Sequence, residues 1–593
     1  MSGLDLGAIG NCAYSALVDP LGRIVWCCLP RFDGDPVFSA LVNGEAPEHG
    51  FYDVVLAGQN GHEQAYLRNS AVLRTVLRAA DGSAVEIIDF APRYRLYGRV
   101  FRPASLMRLL RPLAGTPRIQ VRLRPSFAYG TQRPALTRGS NHCRYAAPDM
   151  TLRLTTDLPI AYVLDETPFL LEEPAALILG PDESLSDAPL AIGRSAFQQT
   201  LAYWQEWSRS LSIPFDWQQE VIRAAITLKL CSFEETGAII AAMTTSVPEF
   251  AHSGRNWDYR FCWLRDAYFV VAALNRLGAT RTMEHHIRYV SNIVANSDGG
   301  VLQPVYGLAG ETRLTEWVAE GLAGYRGMGP VRVGNDAYRQ LQNDIYGAAV
   351  LACTQSFFDQ RFASPGSADL FARLEKLGAR AVALFDQPDA GLWELRNSKQ
   401  VHTFSAVMCW AAADRLARIA RQLGDGAREA AWAAHAAAMH AEICRRAYDA
   451  GRNCFVATFG GRDMDASLLL LHELGFLAAD DPRFAGTVEA VERELRYGDH
   501  MFRYVVTDDF GRPETAFNIC TFWYINALAS LGRKAEARRL FEGMLAARNP
   551  LGLMSEDLDP RDGTLWGNYP QTYSMVGLIT AAMRLSRPWE DGF

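Results

Sequence analysis

A change of periodicity near residue 196 constrains this chain more than any other feature. Before it, short runs alternate apolar and polar residues and stop at Gly, Pro or Asp. "AVLRTVLRAADGSAVEIIDFAP" reads as two strands about an Asp81–Gly82 turn. "MRLLRPLAGTPRIQVRLRPSF" and "MTLRLTTDLPIAYVL" repeat the style. Strand side chains alternate between faces, so many such runs imply an antiparallel β-sandwich. After the change, apolar residues recur every three or four positions. "SAFQQTLAYWQEWSRSL" opens on Ser195 as a helix cap. "WQQEVIRAAITLKLCSFE", "AYFVVAALNRLG", "NDIYGAAVLACTQSFFDQ", "TFSAVMCWAAADRLARIARQLG", "DASLLLLHELGF", "AFNICTFWYINALASLG" and "YSMVGLITAAMRLS" carry the pattern to the C-terminus. Several end in Gly, the usual C-terminal cap. Many are apolar around most of their circumference, as helices buried on two sides in a barrel of nested pairs must be. The expected organisation is a sandwich over 1–195, a linker helix over 196–215 and a helical barrel over 216–593.

The 593 residues exceed one ordinary core, and 49% are hydrophobic. Charged residues are 21% and the net charge is −7, which gives no nucleic-acid footprint. "MSGLDLGAIGNCAYSALVDP" lacks a basic region followed by an apolar run, and no apolar stretch approaches the ~20 residues that span a bilayer. Eleven scattered cysteines without a CxxC read as reduced thiols, and a cytoplasmic location is expected. Cysteines and histidines do not cluster at zinc spacing, so no metal site is expected. The "DLDPRDG" acids lack the repeated oxygen-ligand pattern of a calcium loop and read as a turn.

Chemistry concentrates in the loops ahead of the helices. "RNWDYRFCWLRDAYFVVAAL" packs Trp257, Asp258, Arg260, Trp263, Arg265 and Asp266 into ten positions. Indole faces stack on sugar rings, and charged groups bind hydroxyls. A structural Arg–Asp network tying loop to helix is the other reading. A second loop, from "LQPVYGLAGETRL" to "QLQNDIYG", carries Trp317, Tyr325, Arg332 and Asn335 and reads as a lining. A third, "AGLWELRNSKQVHTFSAVMCW", sets Glu394 between Trp393 and Leu395, with Arg396 beyond. In a fourth, "GLMSEDLDPRDGTLWGNYPQTYSMVGL", Glu556 precedes Trp566, Tyr569 and Gln571. Two distant carboxyls flanked by aromatics suit acetal cleavage, one protonating the leaving oxygen and one activating water. "FRYVVTDDFGRPETAF" adds Arg503, Tyr504, Asp508, Asp509 and Glu514, while Arg31, Phe32 and Asp33 could reach the barrel mouth or pack between domains.

On "WLRDA", "YGLAGE…GYRGMGPVRVGN…QLQNDIYG", "GLWELR" and "SEDLDPRDG…GNYPQTYSMVGLI", the chain resembles glycoside hydrolase family 15, of glucoamylases, glucodextranases and trehalases. "IGNCAYSALVDPLGRIVWCCLPRFDGDPVFSALV" resembles its bacterial, trehalase-like N-terminal segment. The resemblance implies a β-sandwich followed by an (α/α)6 barrel and an inverting hydrolase of α-glucosides that needs no cofactor. It places the general acid on Glu394, the general base on Glu556 and the grip on glucose hydroxyls on Arg265 and Asp266. The implied substrate contacts are Trp257, Asp258, Arg260, Trp263, Arg265, Asp266, Tyr325, Arg332, Trp393, Arg396, Arg503 and Trp566. Ala348, Leu395 and Asp557 depart from the family pattern at positions that bear on the leaving group. The expected activity is glucose release from short α-glucans or isomaltose-type sugars. The alternatives are an α,α-trehalase, a non-catalytic carbohydrate-binding protein and a glucoside phosphorylase. Apolar neighbours should keep Glu394 protonated, Arg396 should point to another partner, and Glu556 should stay ionised in a wetter setting. Inversion requires the two carboxyls roughly 6.5–9.5 Å apart. The oligomeric state is left open.

Overall fold

The computed structural model describes residues 3–396 and 398–592. Its N-terminal part is two stacked antiparallel sheets. One runs Gly7–Gly10, Ser15–Val18, Ile24–Leu29, Phe51–Leu56, Arg118–Arg124, Phe169–Leu170, with Asp35–Phe38 also on Ile24–Leu29. The other runs Ala135–Arg138, His142–Ala146, Thr151–Thr156, Ala175–Pro181, Leu106–Ala114, Ala84–Phe90, Leu73–Ala79, Gln59–Tyr66. Inward residues of both sheets, among them Ile24, Val54, Val121, Leu77, Ile87 and Leu177, share one apolar core. The Asp81–Gly82 hairpin forms as read: Gly82 takes φ +86° and the Asp81 carboxylate accepts the Ser83 N–H at 2.8 Å. The stretch read as a strand through "IAYVL" instead ends at Thr156. Pro159 opens a short helix α1 (Ile160–Leu164) that plugs the sandwich with Ile160 and Val163.

Helix α2 (Pro189–Arg209) leads out of the sheets. It starts at Pro189 rather than at a Ser195 cap, because proline is preorganised for the first helical position. Beyond it, outer and inner helices alternate. The outer ones are α3 (Gln218–Leu230), α5 (Thr280–Asn296), α7 (Ala368–Leu384), α9 (Gly426–Ala447), α10 (Pro482–Leu495) and α12 (Lys534–Ala546). The inner ones are α4 (Leu264–Arg276), α6 (Asp344–Thr354), α8 (Thr403–Gln422), α11 (Asn518–Ser530) and α13 (Thr572–Leu585). The sixth inner position holds only a 3-10 turn, Ala466–Leu470, where "DASLLLLHELGF" reads as a full helix. The ring closes with α13 packed on α4, giving the (α/α)6 barrel. Inner helices are buried all round: every residue of α11 from Asn518 to Ala529 is buried. Outer helices bury one stripe, as Leu540, Phe541 and Met544 do in α12, except α3, which is buried from Ala224 to Leu230.

Every inner helix begins where a chemistry-bearing loop ends. Trp263 precedes α4, Asn343 precedes α6, His402 precedes α8, Phe517 precedes α11 and Gln571 precedes α13. Their N-termini, the positive ends of the helix dipoles, therefore converge on one mouth of the barrel. The sheets buttress this end. Trp26 and Phe32 share the barrel's apolar cluster, and Trp26 Nε1 donates to the Met243 carbonyl at 2.8 Å. Among the described residues no helix is long and apolar enough to cross a membrane, and no group of three His, Cys, Asp or Glu residues is arranged to hold a metal ion.

Candidate active site

One cavity at the barrel mouth brings Glu394 and Glu556 together with Trp257, Trp263, Arg265, Asp266, Trp393, Arg396 and Arg503. Glu394 sits in a tight turn closed by Leu395 N–H to Ala390 O, with Gly391 at φ +67° and Glu394 itself at +61°. That left-handed conformation is costly for a residue with a Cβ, and the surroundings must hold it. Asp389 anchors the turn from beneath: it accepts the Asn343 N–H and the Ser405 hydroxyl, each at 2.7 Å, and lies 2.7 Å from His402 Nδ1. The Trp263 indole N–H donates to Glu394 Oε1 at 2.5 Å and the Gln342 amide at 3.3 Å. A quarter of the Glu394 side chain stays open to the cavity. Burial raises its pKa, while Arg265, 3.8 Å away, and these hydrogen bonds oppose the rise. Arg396 turns away, to Glu316 at 2.9 Å and over the Trp257 ring at 4.5 Å.

Glu556 differs from the wetter setting expected of it. It is 1% exposed. Burial pushes its carboxyl well above the usual range, and the neighbouring Glu249 charge adds to this. The Tyr259 hydroxyl, donating at 2.6 Å, pulls the other way, as do Arg503 and the Asn568 N–H. The adjacent Asp557 is also buried and raised, so the two titrate together.

Arg265 is fixed by Gln342 at 2.9 Å and Asp344 at 3.1 Å. Burial lifts Asp266 to about 7 against the pull of Arg265. Asp266 Oδ1 makes no hydrogen bond to protein and lies 3.5 Å from Arg265 Nε, and Asp266 and Tyr573 both line the cavity beside that guanidinium. Trp393 is braced by Asp465, at 2.6 Å from its indole nitrogen, and by Tyr504, Phe517 and Trp523. Arg503 is bound to Glu249, and Arg255 reaches Asp508 at 2.5 Å.

Five of the expected contacts lie off the cavity lining. Asp258 and Arg260 are fully buried and paired with each other, facing the N-terminal sheets. Here the alternative reading, a structural Arg–Asp network, describes the geometry. Arg332 braces Trp257 from behind, 5.0 Å from its ring, and donates to the Gly254 and Asn256 carbonyls. Tyr325 and Trp566 pack on each other, 6.2 Å apart, and Tyr325 also pairs alongside Gly44. Packing consumes these residues: Asp258, Arg260 and Tyr325 where the loops fold back on the N-terminal part, Arg332 and Trp566 among the barrel loops themselves. Glu249, Arg255, Tyr259, Gln340, Phe510 and Tyr573 also line the cavity, and none of them is among the residues expected from sequence. Glu249 carried a weak signal, an acid between Pro248 and Phe250. Tyr259, flanked by two charges, was hidden by them.

The lining provides two carboxyls with raised pKa, each under an aromatic donor, beside hydroxyl-binding charges. That equipment suits protonation of a glycosidic oxygen and activation of water. Relatives agree with it. A family model for "Glycosyl hydrolases family 15" matches residues 217–583, and one for "Trehalase-like, N-terminal" matches residues 5–156. A trehalase of Mycobacterium tuberculosis is 32% identical, covering 99% of this chain and 90% of that protein. A trehalase of Thermoplasma volcanium is 30% identical, covering 98% and 93%. The structure of a bacterial glucoamylase complexed with acarbose aligns with TM-score 0.72 over 98% of this chain and 94% of that one; at 14% identity the likeness is one of fold. The chain belongs to glycosyl hydrolases family 15 and is a glycoside hydrolase with a trehalase-like N-terminal domain.

Proposed function

We propose that this glycoside hydrolase is an inverting α,α-trehalase. The observation that carries the reading is full-length similarity to proteins named trehalase: six of them match at 24–32% identity over 95–99% of the chain. The cavity is compatible with it. Arg265 and Asp266 hold the hydroxyls of the glucose being transferred, with Trp263, Trp257 and Trp393 as walls. Glu394 gives its proton to the bridging oxygen. Glu556, ionised, takes a proton from water, whose oxygen attacks the anomeric carbon from the opposite face. The C–O bond to the second glucose breaks as the new one forms. Trehalose and water thus give one β-glucose from the attacked ring and one α-glucose from the leaving ring.

The test is glucose release from trehalose, maltose, isomaltose and dextran, with the anomers followed by NMR in the first minutes. Trehalose is expected to be cleaved fastest, giving equal α and β anomers before mutarotation. Faster release from maltose or isomaltose would favour the glucoamylase-like activity instead. Purely α product would rule out inversion, and glucose 1-phosphate formed with phosphate would make the protein a phosphorylase.

A further inference from the structure

The segment 257–261 runs beside 241–246 in strand-like fashion: Ala242 N–H donates to Tyr259 O at 3.0 Å and Ser246 N–H to Trp257 O at 2.9 Å. Side chains in such a segment alternate between its two faces. Tyr259 therefore faces the cavity, where its hydroxyl donates to Glu556 at 2.6 Å. Asp258 and Arg260 face the sheets, and their side chains are fully inaccessible to solvent. Arg260 uses its whole guanidinium there. Nε and Nη2 clamp the two Asp258 oxygens at 2.9 and 2.7 Å. Nη1 donates to the Gly34 carbonyl at 3.0 Å and to Cys28 Sγ at 3.4 Å, and Nη2 to the Tyr129 hydroxyl at 3.0 Å. The Asp258 carboxylate also accepts the Gly334 N–H at 3.1 Å, joining the loop ahead of α6.

We infer that the N-terminal sheets belong to the catalytic machinery. Through Cys28 in a strand and Gly34 and Tyr129 in the loops beside the strands, they hold Arg260 as a positioning residue that aims Tyr259 at the Glu556 carboxylate. The inference rests on the base role proposed for Glu556. A planar, five-donor fork is what this junction requires, and a lysine, with one rotating ammonium, cannot span Asp258, Gly34 and Tyr129 together. Loosening the clamp lets Tyr259 drift from Glu556. The hydrogen bond favours the ionised base, so its loss raises the pKa of Glu556 and moves the acid limb of the pH profile to higher pH. Substrate is gripped elsewhere, by Arg265, Asp266 and the indoles, so KM is spared.

The experiment compares Arg260→Lys, Tyr129→Phe, Tyr259→Phe and the Arg260→Lys/Tyr259→Phe double variant of the full chain. Folding is checked by circular dichroism, and rates are taken against pH on whichever α-glucoside the wild type cleaves. Arg260→Lys is expected to lose about tenfold in kcat with KM within about threefold of wild type, and to shift its acid limb upward as Tyr259→Phe does. The double variant is expected to be no slower than Tyr259→Phe alone, because both changes remove one interaction. Tyr129→Phe, which removes a single hydroxyl, is expected to move kcat and the acid limb the same way by about twofold to threefold; it decides the matter if Arg260→Lys fails to fold. Multiplying effects in the double variant, or a loss confined to KM, would overturn the inference. So would wild-type kcat and acid limb in Tyr129→Phe when Arg260→Lys fails to fold, or in Arg260→Lys itself when it folds. Failure of the wild type to cleave trehalose would count against the substrate proposal alone. Unchanged activity in Glu556→Gln would remove the base role.

Discussion

At the scale of single residues, the two central glutamates are distinguished by what surrounds them. Glu394 meets an indole N–H, an amide and a distant guanidinium with part of its surface open. Glu556 meets a second carboxylate, Glu249, in a nearly closed environment. Replacing Glu556 by Gln keeps the shape and removes the proposed base; kcat on trehalose, the proposed substrate, should fall by about 10²–10⁴, with the protein still folded. The groups facing Glu556 are Glu249, Tyr259, Arg503, the Asn568 amide and the neighbouring Asp557. Of these, Glu249 and Asp557 disfavour its ionised form. In the proposed base role Glu556 works only when ionised, so activity should fall as pH drops through its raised pKa. Glu249→Gln removes one like charge, lowers that pKa and should carry the acid limb of kcat/KM to lower pH, as a rate profile in buffers of constant ionic strength would measure. An unmoved or raised limb would mean that the Glu249 charge does not act on the base. Glu394 and Glu556 stand out in sequence because each lies near aromatic residues in a loop with little periodicity, but their acid and base roles come from the resemblance to glycoside hydrolase family 15. The burial of Glu556 was not legible, since Glu249 lies 307 residues earlier in the chain.

Among the elements, the inner helices were the easiest to read. A helix such as "NICTFWYINALAS" has no polar face, and only a position enclosed on all sides accommodates it. Their close approach depends on small residues. A Cβ added to Gly347 in α6 would collide with the Met408 backbone of α8. Gly347→Ala should therefore destabilise the protein by about 1–3 kcal/mol, through displaced backbone rather than lost burial. Urea unfolding monitored by circular dichroism would register the lower midpoint. The "DASLLLLHELGF" segment was misread because four consecutive leucines satisfy helical and 3-10 burial equally. Its backbone instead follows Asp465, whose side chain accepts the Ser467 N–H at 2.7 Å and also braces Trp393. The "IAYVL" helix was missed because a five-residue apolar run carries no period.

Across the whole molecule, sheets and barrel are joined by buried charge as well as apolar surface. Glu234, just after α3, binds Arg93 at 2.7 Å and is in contact with Lys229. Burial alone would raise its pKa, but Lys229 and Arg93 outweigh it and hold the carboxyl well below the usual range. The folded pKa is depressed, so this stabilisation is present above the unfolded glutamate's value near ~4.3 and fades as pH falls toward the folded one. Glu234→Ala would strand two buried cations and should cost about 3–5 kcal/mol, read as a lower Tm at neutral pH by calorimetry. The strand-to-helix switch and the buried helices followed from the sequence alone, because periodicity is written in neighbouring residues, while Glu394 and Glu556 were singled out as a pair by the motifs shared with the family. Which of the clustered Trp, Asp and Arg side chains reach the cavity was decided by tertiary structure. Asp258 and Arg260 face the sheets while Tyr259 faces the cavity, and that choice depends on contacts with Gly34 and Tyr129, far away in the chain.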